Sequence, residues 1–303
     1  MSQTALTVGT EYLDRKITGT GTEDNPWIIG SIEGDTDENM FQNFLDAVYT
    51  DNAYVKLVHD IDVSQIKAYR EGLGTYIRVR AGKTYADDSK AAIKNLITKQ
   101  ELIDNDTVGK EISNIQFLNC IINDATGYVI KWTGSGSPHR VLYCDFSLLI
   151  RGTDSSASVS VISDSYFDHC SLDVKLINGS FISGAFSKAT NCQFNVVGEC
   201  PSSANIFDSL TKCGITGKIT YNTTSTTPSY FVTKNSYCYF ALDLIGNGAI
   251  TFKNATGSYQ NTNTYFCINY DENITPLDET VFPPITSEQL RSKEYLYEIG
   301  FLP

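Results

Sequence analysis

The sequence predicts an all-β fold, a right-handed parallel β-helix of about nine coils, and three observations support this prediction. Cysteines return at a nearly constant interval, with gaps of 24, 26, 22, 21, 25 and 29 residues along the series Cys120, Cys144, Cys170, Cys192, Cys213, Cys238 and Cys267. Apolar residues often occupy the second and fourth positions after the cysteine, as in "CDFSL" at 144–148, which is the alternation of a β-strand. A second short alternating stretch follows later in each unit. A repeat of about 24 residues with two or three short strands is typical of one solenoid coil.

The second strand of each unit lies at a variable distance after the cysteine, so one corner of the coil is tight and another is a loop of variable length. Its candidates are 128–132, 158–162, 180–184, 205–210, 230–234 and 249–253. Alternating stretches without a cysteine, at 53–64, 76–82 and 91–99, extend the repeat toward the N-terminus. Because coils stack about 4.8 Å apart, each inward position is expected above its counterpart in the preceding coil.

Seven of the eight cysteines are predicted to form a column of free thiols in the core: Cys120, Cys144, Cys170, Cys192, Cys213, Cys238 and Cys267. Free cysteine packs as a small hydrophobe. Disulfides fit less well because stacked neighbours point the same way, and a zinc site would need close pairs such as C-x-x-C, which the chain lacks. Cys200, in "VGECPSSAN", does not fit the repeat. We predict that it lies in a loop and is the one reactive thiol.

Both open ends of a solenoid need caps. A helix with Thr36 or Asp37 as its N-cap is predicted near the N-terminus, since the apolar residues that follow recur at helical spacing. They are Met40, Phe41, Phe44, Leu45 and Val48. In the C-terminal tail, the capping-box spacing of Thr286 and Gln289 predicts a short helix. The predicted organisation is an attachment segment at 1–18, an entry strand and capping helix at 19–52, the β-helix at 53–275, and a C-terminal cap at 276–303.

The two ends of the chain carry a family resemblance. The entry segment "GTGTEDNPWIIGS" at 19–31, the helix after it and "AYVKLVHDID" at 53–62 resemble the opening of β-helical surface proteins with a G-x-G-T-x-x-x-P-aromatic-x-I strand. The ending "ITSEQLRSKEYLYEIGFLP" is similar to the short helical tail that closes many of them. The chain most resembles the small β-helical, pectate-lyase-like virion proteins of tailed bacteriophages from anaerobic and gut bacteria. That resemblance implies a head-fibre, tail-fibre or tail-appendage protein, often trimeric and in contact with the host surface.

Composition restricts the partners. The net charge is −12 and no basic run occurs, which argues against nucleic acid and anionic membranes as partners. No stretch reaches the length of a membrane span, and the N-terminus lacks an apolar signal core. We therefore expect synthesis in the host cytoplasm, localisation to the virion, no membrane insertion and no cofactor. The expected partners are other virion proteins and host-surface glycan, since any of the 18 tyrosines that lie outside could stack on sugar rings.

The same fold also carries polysaccharide lyases and depolymerases, so possible catalytic groups were considered. A lyase would need clustered carboxylates for calcium and an arginine base, and a hydrolase would need two carboxylates at a defined separation. The candidate pairs are Asp60 with Asp62, Asp164 with Asp168, and Asp145 with Asp173. All are interpreted as parts of a solvated outer face. His59, His139 and His169 are interpreted as surface histidines, so no catalytic, cofactor-binding or metal-binding residue is assigned.

The sequence thus predicts a non-enzymatic virion component, a fibre or appendage subunit. Residues 1–18 have no repeat and few apolar positions, so we predict that they dock on the particle and become ordered only when bound. The first alternative is a polysaccharide depolymerase or lyase. A bacterial adhesin is a third reading, but it would carry an export signal.

Overall fold

The computed structural model describes residues 17–64, 76–105, 109–132, 139–162, 165–182, 184–201, 206–222, 229–230, 232–233, 235–251, 264–270, 272–276, 288–289, 292 and 294–295. In this part of the chain one α-helix precedes a parallel β-solenoid of about seven turns. The predicted all-β fold is therefore confirmed. No helix among the described residues is long and apolar enough to cross a bilayer.

Helix α1 spans Asp37–Val48. The strands are β1 Trp27–Ile29, β2 Tyr54–Leu57, β3 Ile61–Asp62, β4 Ile77–Arg78, β5 Lys83–Ala86, β6 Ala91–Lys94, β7 Ile97–Lys99, β8 Ile103–Asn105, β9 Glu111–Ser113, β10 Ile115–Ala125, β11 Gly127–Trp132, β12 His139–Leu142, β13 Asp145–Gly152, β14 Ser158–Ile162, β15 Ser165–Asp168, β16 Ser171–Phe181, β17 Phe186–Ser187, β18 Ala189–Thr190, β19 Gln193–Pro201, β20 Phe207–Asp208, β21 Gly214–Asn222, β22 Ser229–Tyr230, β23 Val232–Thr233, β24 Tyr239–Thr251, β25 Tyr265–Tyr270 and β26 Ile274–Pro276.

Three parallel ladders run along the solenoid. The first sheet has the order β1-β2-β5-β9-β12-β15-β18, and a short third sheet has the order β17-β20-β23. The second sheet has 16 strands, and its main ladder runs from β3 through β6, β10, β13, β16, β19 and β21 to β24. Since β1 pairs in parallel with β2, the ladder already begins in the predicted entry segment.

The number of turns is smaller than the nine predicted. The first sheet holds seven strands, and beyond β18 it continues only as isolated bridges from Thr190 to Thr211 and from Thr211 to Ser236. The prediction applied a 24-residue repeat to the whole chain. Lys83, however, pairs with Tyr54 and with Glu111, so the early turns span 29 and 28 residues and fewer turns fit.

Helix α1 covers the N-terminal end of the solenoid, as predicted. Thr36 is its N-cap, and the Thr36 side chain accepts a hydrogen bond from the Asn39 backbone N at 3.2 Å. Of the predicted apolar stripe, all but the partly buried Leu45 are buried. The helix contacts β1 to β4, so it removes from water the apolar surface that the first turn would otherwise expose.

The core consists of inward columns of aliphatic and aromatic side chains. Phe117 and Phe146 occupy one such column, and their ring centroids lie 5.1 Å apart with the planes 8° from parallel. In the C-terminal tail, Glu288, Gln289, Glu294 and Tyr295 have helical backbone. The predicted helix start at Thr286 and the segment 1–16 lie outside the described residues.

Candidate functional site

Five of the seven cysteines predicted to stack occupy one buried column: Cys144, Cys170, Cys192, Cys213 and Cys238. The residues that directly follow them pair with one another from turn to turn along the second sheet. Consecutive members also touch, since the Cys170 backbone N lies 3.4 Å from Cys192 Sγ. The seven cysteines whose side chains are described are all free thiols.

Cys120 and Cys267 were wrongly assigned to this column. Cys120 lies opposite Leu148 in β13, because β10 contains two register shifts and the counterpart of Cys144 is Ile115. Cys267 pairs with Ala241, so the position after Cys238 belongs to the buried Thr264. The Cys267 side chain lies outside the described residues. An interval in sequence cannot distinguish such shifts from true alignment.

A left-handed corner explains why the column exists. The residue before each column position has a positive φ between 51° and 57° along the set Lys90, Asn114, Tyr143, His169, Asn191, Lys212 and Tyr237. This sharp bend between the first and second sheets brings the carbonyl two residues before the cysteine within reach of the thiol. Cys192 Sγ, for example, donates to the Thr190 carbonyl oxygen at 3.1 Å. A small side chain with a weak donor fits this corner, which the sequence interpretation missed.

The thiols are not poised for chemistry. Burial raises the pKa of Cys120 to about 12 and the pKa of Cys144 and Cys170 well above the ordinary thiol value. The predicted reactive thiol is corrected here, because Cys200 lies within β19 rather than in a loop and is buried. Burial raises its pKa to about 12. Since the thiolate is the nucleophile, none of these groups suits nucleophilic catalysis.

The predicted carboxylate pairs act as links between turns. Each described member binds a side chain of the neighbouring turn: Asp60 binds Lys94, Asp62 Asn95, Asp145 Gln116, Asp168 Asn191, and Asp173 Asn195. Burial opposes ionisation of Asp60, yet hydrogen bonds from Lys94 and the Ala92 backbone N hold its pKa below the usual range. Asp164 lies outside the described residues. These contacts favour a structural role over acid–base chemistry.

The histidines differ from one another. His59 is exposed, and its Nδ1 lies 3.1 Å from the Asp60 carbonyl oxygen. His169 is also exposed and stacks on Tyr143 with ring centroids 5.0 Å apart. His139, in contrast, is buried at the start of β12, where its Nδ1 accepts from the Lys110 backbone N at 3.4 Å. The surface assignment of His139 was wrong because the strand pairs with β9 and β15 on both sides.

A charged cluster that sequence reasoning missed lies on β4, β8 and β11. Arg78 and Lys131 both pair with Asp104 in the ladder. Lys131 Nζ lies 3.2 Å from Glu101 Oε1 and 4.0 Å from Asp104 Oδ1, while Arg78 Nε lies 3.7 Å from Asp104 Oδ2. Burial raises the pKa of Glu101 despite the hydrogen bond from Lys131, and the charge of Asp104 adds to the rise. Outward positions of opposite charge, one repeat apart, were the available signal.

A second arrangement covers the outer side of the second sheet, and we call it the polar face. Its residues are Asp173, Gln193, Asn195, Thr216 and Tyr239. Asn195 Nδ2 donates to Asp173 Oδ1 at 3.0 Å, and Thr216 Oγ1 lies 3.4 Å from Asn195 Oδ1. The register aligns these three on β16, β19 and β21. The polar face therefore presents a row of amide and hydroxyl groups at the spacing of the turns, about 4.8 Å.

Tyr239 crosses this face over a glycine. Its hydroxyl donates to Gln193 Oε1 at 2.8 Å, although the two residues lie two turns apart, with Gly214 between them in the ladder. A Cβ on Gly214 would lie 2.2 Å from Gln193 Oε1 and 2.3 Å from the Tyr239 hydroxyl. Burial raises the pKa of Tyr239. The glycine thus provides the space in which the ring is held.

Comparison with known proteins adds little. No family model and no curated protein matches the chain. One solved structure, a protein from Bacteroides ovatus proposed to be an immunoglobulin A1 protease, is similar at 16% identity over 92% of this chain and 89% of that chain, with a TM-score of 0.48. At this identity and TM-score the likeness says nothing of function. No group of three potential metal ligands occurs among the residues that the structure describes.

Proposed function

We propose that this chain is a non-enzymatic structural subunit of a bacteriophage virion, a fibre or appendage component that contacts host-surface carbohydrate. The observation that carries the proposal is the use of the outward carboxylates. Described members of all three predicted pairs bind side chains of neighbouring turns, and the thiols are buried. An outer surface committed to inter-turn bonds suits a rigid rod better than a catalyst. The resemblance of both chain ends to β-helical virion proteins supports the virion assignment.

Mass spectrometry of purified particles tests this proposal. Phage particles banded from the bacterium that carries the gene should contain the protein at a stoichiometric level, and immunogold labelling should place it on a fibre or appendage. Light scattering of the purified protein would then test the expected trimer. Absence of the protein from intact particles would contradict the proposal.

The attachment hypothesis can be tested in the same system. A variant that lacks residues 1–18 should give the circular dichroism spectrum of the parent solenoid, because the described ladder begins later in the chain. It should nevertheless fail to enter particles. Incorporation at the parental level would refute the docking role of this segment.

A polysaccharide depolymerase or lyase is the second candidate, and one observation favours it. Glu101 has a raised pKa and shares the Lys131 ammonium group with Asp104, and a protonated carboxyl beside an ionised one is the arrangement of a glycosidase acid. An assay for reducing ends and unsaturated products on host capsule tests this candidate. Product that disappears in Glu101→Gln, with the fold retained, would establish it over the non-enzymatic role.

A further inference from the structure

We infer that Tyr239, with Gln193, Asn195 and Thr216, forms a subsite for one pyranose ring of a neutral polysaccharide. This inference deepens the proposed contact with carbohydrate and rests on it. An aromatic side chain supplies the apolar surface on which a sugar ring stacks. The neighbouring amide and hydroxyl groups supply both donors and acceptors for sugar hydroxyls. The polar face combines these two elements on adjacent turns.

Pre-organisation of the aromatic ring supports this assignment. The bond from the Tyr239 hydroxyl to Gln193 Oε1, 2.8 Å long, fixes the far end of the ring across two turns. Gly214 leaves the space for it, since any Cβ there would come within 2.3 Å of the phenol. A side chain already held in one position loses less entropy when a ligand binds. The other exposed tyrosines, such as Tyr128 on β11, have no such glycine-made seat described around them.

Charge favours a neutral ligand over an acidic one. Gln193, Asn195 and Thr216 carry no charge, and Asp173 stands at the edge of the row, where it would repel a uronate. The chain as a whole carries a net charge of −12, which lowers the local concentration of polyanions. Lys218 lies on the same strand as Thr216 and is exposed, so an acidic polysaccharide belongs in the test.

Affinity electrophoresis of the full chain tests the inference directly. The probes are mannan, galactan, dextran, the neutral polysaccharide fraction of the bacterium that carries the gene, and polygalacturonate. We expect retardation by at least one neutral probe and none by polygalacturonate. Tyr239→Ala should weaken the retardation about tenfold, and Tyr239→Phe, which keeps the ring but loses the bond to Gln193, only a few-fold. Tyr128→Ala is the matched control and should bind as the parent does.

Gly214→Ala provides a second variant with Tyr239 intact, and it should lose binding because the ring is displaced. Melting curves must show that each variant is folded; if Gly214→Ala is not, the Tyr239 variants decide. Equal binding by parent and Tyr239→Ala, binding to polygalacturonate alone, or retardation by no probe would each overturn the inference. None of these outcomes would remove the protein from purified particles, so a failed subsite and a failed virion role can be told apart.

Discussion

The turns between residues 51 and 132 and those between residues 139 and 270 share one architecture but differ in their outward contacts. The first region is joined by ion pairs: Lys56–Asp87, Arg80–Asp51, Lys83–Glu111, Lys94–Asp60, Lys99–Asp124 and Lys131–Glu101. In the second region amide and hydroxyl contacts are prominent, as between Asn195 and Asp173 and between Asn269 and Asp243. The column of five thiols belongs to the second region alone.

The difference shows that the core repeat and the outer surface are set independently. An outward side chain meets mainly its counterparts one turn away, so either chemistry is compatible with the same inward columns. In the first region the turns are long and β10 shifts register. In the second region nine consecutive residues of β19 pair with β21 without a shift. A regular register allows a row such as the polar face to form.

The largest effect is expected at Gly217, within the regular region. Gly217 has a φ of 127°, and a Cβ there would lie 2.0 Å from the Val196 carbonyl oxygen. Gly217→Ala should lower the free energy of unfolding by roughly 3–5 kcal/mol, from backbone strain together with overpacking. Gly184→Ala is the control, because Gly184 also has a positive φ but nothing lies near its Cβ. It should cost about 1 kcal/mol. Similar urea midpoints for the two variants would show that the clash does not matter.

A smaller effect is expected from removing thiols, and it compares the two regions directly. Cys192 Sγ donates to the Thr190 carbonyl oxygen at 3.1 Å, whereas Cys120 Sγ lies 3.8 Å from the Leu118 carbonyl oxygen. Cys192→Ala should lose both packing and a hydrogen bond, roughly 1–2 kcal/mol. Cys120→Ala should lose mainly packing. If urea unfolding gives equal losses, the corner hydrogen bond contributes nothing to stability.

Salt should separate the two regions by a still smaller amount. Exposed ion pairs contribute up to about 1 kcal/mol each and are screened at high ionic strength. Backbone amides of β5 and β8 should therefore exchange with deuterium faster in 1 M than in 0.02 M sodium chloride, by about threefold. Amides of β16 and β19 are the internal control and should change less. A uniform response along the solenoid would remove the electrostatic distinction.

The smallest effect concerns acid and the link between β3 and β6. Because the folded pKa of Asp60 is below its unfolded value of about 3.9, its contribution is fully present above that value and is lost as the pH falls through the folded pKa. The contribution is small because the Asp60 side chain is 46% exposed. Asp60→Asn should reduce the loss of stability between pH 5 and pH 2, and Lys94→Met should reduce it partly. An unchanged acid limb in thermal melts of both variants would contradict this assignment.

Much of the fold could be predicted from the sequence, for identifiable reasons. The stretches 128–132 and 158–162 alternate strictly and are β11 and β14, because an inward position accepts only apolar side chains. The helix stripe and its N-cap at Thr36 were equally legible. The number of turns was not, since a repeat measured between cysteines does not apply to the longer early turns.

The sequence by itself determined the class of fold, the capping helix and the inward columns, because periodic burial leaves a periodic pattern of apolar residues. Only the tertiary structure decided which cysteines share a column, that Cys200 and His139 are buried, and that Glu101 joins Asp104 and Lys131. It also decided that Tyr239 reaches Gln193 over Gly214. These outcomes depend on the register between turns, and a shift of one residue exchanges inward and outward positions without changing the sequence interval.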